Sequence, residues 1–133
     1  MREILFRGKR LDNGAWETGS LVIVRMDCHD AQYYIADKMT GYHTPVDPST
    51  VGQYTGMKDK NGKRIFEGDI AKVLQGKDKD IAYVGFENGA FMLYPKTGNI
   101  YERTLWSYWY NDWDVEVIGN IHDNKLEDFD NGR

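Results

Sequence analysis

Cysteine occurs once in this 133-residue chain, at Cys28, and proline only three times. A single thiol excludes an intrachain disulfide framework. Long apolar runs are missing too: stretches such as Leu21–Val24 reach four or five residues, against the ~20 a helix needs to cross a bilayer. The opening MREILFRGKR has basic residues but no hydrophobic stretch of signal-peptide length, so a soluble intracellular domain is expected. Sustained 3.6-residue periodicity is also absent, which argues against helical or α/β architectures. A general excess of basic charge is lacking as well, since 17 Lys and Arg face 21 Asp and Glu for a net charge of −4. Phosphate neutralisation favours a basic surface, so nucleic acid is a disfavoured partner for the chain as a whole.

What the chain has is aromatic rings: 4 Trp, 9 Tyr and 5 Phe, or 14% of its residues. At about one domain's length it can bury roughly two-thirds of the surface exposed when unfolded, enough for a core without cross-links. Charge is unevenly spread. Residues 1–10 carry +3, 11–57 carry −4, 58–79 carry +3, 80–110 carry −1 and 111–133 carry −5.

Short segments rich in β-branched and aromatic residues, bounded by Gly, Asp, Asn or Pro, predict strands. They are Ile4 with Phe6, Leu21–Val24, Tyr33–Ile35, Val51–Tyr54, Asp69–Gln75, Asp80–Glu87, Ala90–Tyr94 and Asp114–Ile121. Asn13-Gly14, Asn61-Gly62 and Asn88-Gly89 supply residues that tolerate positive φ, as tight hairpins require. Asn88-Gly89, between two apolar runs, is the clearest hairpin. Residues 41–50, GYHTPVDPST, hold two of the three prolines and predict a loop, a natural seam between two β units. Residues 102–113 stay open: Leu105, Trp109 and Trp113 recur at helical spacing, whereas Trp106, Tyr108 and Tyr110 alternate as on a strand. A short helical turn or irregular segment is the preferred reading, and the acidic tail 124–133 is expected to fray.

No catalytic constellation emerges. In Asp27-Cys28-His29-Asp30, adjacent Cys and His would point to opposite faces of a strand, a poor dyad. His29, His43 and His122 are too scattered, with one Cys, to make a zinc site. Asp112, Asp114 and Asp123 have no EF-hand spacing, and no phosphate-binding glycine loop is present. Neither metal nor cofactor is therefore expected. The aromatic set Trp106, Tyr108, Trp109, Tyr110 and Trp113 reads as core, as a protein interface or as a stacking platform for nucleic acid. Its acidic neighbours Asp112, Asp114 and Glu116 disfavour phosphates.

Three blocks, Met1–Arg7, QYTGMKDKNGKRIFEGDIAKV (53–73) and DVEVIGNIHDN (114–124), resemble in order and spacing the YopX family of bacteriophage and prophage proteins. The resemblance implies an all-β chain of two unlike subdomains. Residues 1–52 would form a complex β subdomain, and 53–133 an SH3-like barrel with a short acidic tail. It also implies homo-oligomers and a phage origin, hence the cytoplasm of a bacterial host, and it brings no catalytic residues. The DCHD run and the aromatic cluster lie outside the matching blocks. Gly56, Gly62, Gly68, Asp69, Gly89 and Gly119 are assigned to turns and strand entries, as fold determinants alongside Tyr54, Asp59 and Glu67. The expectation for function is a non-enzymatic, oligomeric binding or adaptor module acting on a host or phage protein. Its interface would be the aromatic set, with Lys58, Lys60, Lys63, Arg64 and Lys72 as a basic rim. The alternative is nucleic-acid binding through that rim with aromatic stacking.

Overall fold

The computed structural model describes residues 2–27, 30–98, 100 and 103–129, and divides the chain into two units, 1–56 and 57–133. Both are built of antiparallel β-structure with little helix. Among the described residues no helix is long and apolar enough to cross a membrane.

In the first unit, β1 (Phe6–Lys9), β2 (Trp16–Val24), β3 (Gln32–Ala36) and β4 (His43–Pro45) form an antiparallel meander, and β5 (Gly52–Lys58) pairs with the other side of β1. The full strand order is β4-β3-β2-β1-β5-β6, where β6 is Arg64–Phe66 and the last two residues of β5 already belong to the second unit. Leu5, Ile35, Val46 and Tyr54 are the buried apolar side chains of the first unit. The proline-containing segment 41–50 is only partly loop. Its residues 43–45 make the edge strand β4, a position where Pro45 withholds no N–H that the ladder needs. A 3-10 turn follows at Pro48–Thr50, capped by Asp47 accepting from the Ser49 N–H at 3.0 Å.

In the second unit, β7 (Asp69–Gln75), β8 (Asp78–Glu87), β9 (Ala90–Pro95), β10 (Arg103–Thr104) and β11 (Asp114–Asn120) form one antiparallel sheet in the order β10-β9-β8-β7-β11. In β7, Asp69, Ile70, Ala71 and Val73 are buried, with Ile70 and Ala71 fully enclosed, while Lys72 and Leu74 are half-buried. The Asn88-Gly89 hairpin forms as its sequence predicts. Both residues have positive φ, 52° and 82°, the requirement of a type I′ turn joining Glu87 to Ala90. The β11 alternation holds from Val115 to Val117, then a bulge shifts the register before Gly119. A Cβ at Gly119 would lie 2.5 Å from Asn124 Oδ1 and 3.0 Å from Phe129 Cζ, so any side chain there would have to displace these two side chains.

Ile65, Val73, Val84, Leu93, Leu105 and Tyr108 lead the core of this unit. Each such buried side chain contributes roughly 1.5–3 kcal/mol. The sheet order is linear, and no closed barrel is found among the described residues. With only two residues, β10 has little ladder to offer a further strand, and the chain leaves it directly into helix α1 (Leu105–Tyr110).

Candidate functional site

The segment left open by its sequence is a helix because both ends are capped. The Thr104 hydroxyl accepts the Ser107 N–H at 3.2 Å, occupying a donor that a first helical turn leaves free. At the other end the Trp113 N–H reaches the Tyr108 carbonyl at 3.0 Å and the Asp112 N–H reaches that of Trp109 at 3.2 Å. This is a Schellman closure with Asp112 at φ 58°, where glycine is the usual occupant. The stop comes before Trp113, so the buried stripe of α1 is Leu105 and Tyr108, three residues apart, rather than the four-residue series through Trp109.

This register sorts the aromatic set. Tyr108 is core: 1% exposed, it meets the Trp113 ring edge-on at 5.3 Å. Burial pushes its hydroxyl up to about 12; the Arg103 charge opposes that shift and the Asp80 charge adds to it. Trp106, Trp109 and Tyr110 are 57%, 62% and 65% exposed, and Trp106 and Tyr110 stack one turn apart at 5.0 Å. Three large rings on six residues of surface helix form an apolar display of the kind that marks interaction sites.

The neighbouring wall is set by Asp59. Its Oδ1 accepts the N–H groups of Asn61 and Lys63, both at 2.9 Å, while Oδ2 accepts the Val117 N–H at 3.0 Å. The Lys60 N–H adds a bond to the Val115 carbonyl at 3.0 Å. The β5–β6 turn is thereby fastened along β11, at the end of the sheet order. Burial alone would raise the Asp59 carboxyl, but the donors of Val117, Lys63 and Asn61, with the Lys63 charge, hold it below its ordinary value. With Asp59 directed inward, Lys58 and Lys60 on either side are exposed.

Between these two walls lies a groove of about 460 Å³. Met57, Ile65, Leu105 and Val115 supply its apolar lining, and Trp109, Tyr110 and Trp113 its aromatic one. Lys58 and Lys60 line it from the turn, Asp112 and Asp114 from the segment after α1. Two of the basic residues singled out in the sequence thus share a site with three of the aromatics. Lys63, Arg64 and Lys72 are not part of that lining; Lys72 stands opposite Glu116 across the β7–β11 ladder.

Gly56, Gly62, Gly68 and Gly89 all have positive φ. Asp69 is buried and accepts the Phe66 N–H at 2.8 Å, closing the entry to β7. Cys28 and His29 lie outside the described residues. His43 sits on β4, its ring edge-on to Tyr34, and among the described residues no group of three His, Cys, Asp or Glu is placed to hold a metal. Asp112 and Asp114, which by sequence stand only as phosphate repellents or cation ligands, line the groove. The alternation of exposed Asp112 and Asp114 about half-buried Trp113 is the signal that carried it.

The sequence profile described as YopX protein matches residues 5–127, nearly the whole chain. The chain belongs to the YopX family. Among solved structures, protein yopX from Bacillus subtilis aligns with this YopX-family chain at TM-score 0.56 and 19% identity, covering 90% of this chain and 94% of that one. Protein EF1440 from Enterococcus faecalis aligns at TM-score 0.55 and 21% identity, over 93% of this chain and 96% of its own. At such identities the likeness establishes a shared fold. No curated protein matches the chain.

Proposed function

We propose that this YopX-family chain is a non-enzymatic binding or adaptor module of phage or prophage origin, acting in the cytoplasm of a bacterial host. It binds a host or phage protein, works as a homo-oligomer, and presents its contact surface on an SH3-like scaffold. The observation that carries this reading is the exposure of Trp106, Trp109 and Tyr110 together on α1, beside the groove. Exposed Trp and Tyr are the side chains that most often dominate protein–protein binding energy. The test is capture from a bacterial lysate with nuclease present, comparing the native chain with W106A/W109A/Y110A. Proteins retained by the native chain and released by the triple variant are the expected result; identical retention by both would refute the reading.

Nucleic-acid binding is the second reading, favoured by the stacked Trp106–Tyr110 pair and by Lys58 and Lys60 at the groove. It predicts affinity for single strands that falls steeply as salt rises. Asp112 and Asp114 weigh against it by repelling phosphates at the same place.

A further inference from the structure

Four charges line the groove in two pairs of opposite sign: Lys58 and Lys60 from the β5–β6 turn, Asp112 and Asp114 from the segment after α1. Each pair brackets a more buried residue, Asp59 or Trp113, so the members of a pair lie two positions apart, both exposed. Among the described residues none of the four takes part in an ion pair, although Arg10 elsewhere engages both Asp12 and Glu17. The groove therefore presents both signs of charge around an apolar lining, with none of the four held in an ion pair.

We infer that this groove binds an extended peptide segment carrying an apolar or aromatic anchor between an acidic and a basic side chain, the acid facing Lys58 and Lys60 and the base facing Asp112 and Asp114. This deepens the protein-binding reading above and rests on it. The anchor fits between the Trp109 and Trp113 rings and the Met57, Ile65 and Val115 side chains that line the groove. A basic residue beside Trp109 and Tyr110 gains a ring face as well as a carboxylate. A segment of one sign would satisfy one pair and be repelled by the other, so the groove discriminates by repulsion as much as by attraction. That selectivity also disfavours polyanions such as nucleic acid, whose every repeat would meet Asp112 and Asp114.

The test uses three capped, dye-labelled pentapeptides with the same central Phe: acid on one side and base on the other, both flanks acidic, and both flanks basic. Fluorescence anisotropy on the full chain is expected to show the mixed peptide binding about tenfold tighter than either single-sign peptide. K58E/K60E shifts the preference to the basic peptide, and D112K/D114K shifts it to the acidic one. The four substitutions together restore the mixed peptide. D112N/D114N, a milder change, weakens the preference for the basic flank, and circular dichroism confirms that each variant is folded. Equal affinity for all three peptides, or preferences unmoved by the charge changes, would overturn the inference. If the exposed aromatics are still required for capture from lysate, the protein-binding reading survives that failure. A free amino acid displacing the probe as well as the capped peptide does would transfer the site to small zwitterions and overturn it too.

Discussion

At the scale of single residues, the most informative side chain is Asp59. One carboxylate accepts three backbone N–H groups from two separate segments, and so joins the 59–63 turn to β11. D59A leaves those donors without it, at a cost of about 2–4 kcal/mol in urea unfolding. Its pH dependence has a definite sign. The folded carboxyl lies below its ordinary value of 3.8, so the contribution is complete above that value and is lost as pH falls through the folded one. The acid limb of the stability curve is therefore expected to be shallower in D59A than in the native chain, as measured by urea midpoints between pH 2 and 6. An unchanged limb would assign acid sensitivity to other groups. In the sequence Asp59 was legible as a turn residue; its bond to Val117, 58 positions away, was not, because only the folded sheet brings β11 to the turn.

At the scale of elements, α1 separates buried from exposed aromatic rings within six residues. Tyr108 lies in the core, so Y108A opens a cavity and costs about 3–5 kcal/mol. W106A and W109A remove exposed rings and are expected to change stability by about 0.5 kcal/mol or less, while the proposed protein-binding role predicts that both reduce partner capture. Thermal or chemical melts of the three variants test this division; equal destabilisation by all three would place the whole helix surface in the fold. The sequence could not choose between helix and strand here, since Leu105, Trp109 and Trp113 fit a helical spacing while Trp106, Tyr108 and Tyr110 fit a strand's. The choice falls to the Thr104 cap and the Asp112 closure, which end the helix early and turn Trp109 outward. By contrast, the Asn88-Gly89 hairpin was legible in full, because its turn chemistry is local and admits few other conformations.

At the scale of the whole molecule, the acidic balance and aromatic surplus acquire different meanings. The surplus is divided between a core in each unit and a surface display on α1. A homo-oligomer is the proposed state of such a chain, and sedimentation at micromolar concentration is expected to give species heavier than the 15.4 kDa monomer. A monomer alone would count against it. The all-β class, most strand positions and family membership could be read from residue order, since alternation, turn dipeptides and motif blocks are local properties of a chain. Strand order, the open course of the second sheet and the meeting of Lys58 and Lys60 with Asp112 and Asp114 could not. The two pairs lie more than 50 positions apart in the chain, and only the packing of β11 and α1 beside the 59–63 turn brings them to the lining of one groove. The single cysteine and the short apolar runs excluded cross-links and membrane helices from the outset; which residues line the groove was decided by tertiary structure, because a groove is made by segments that are neighbours in space alone.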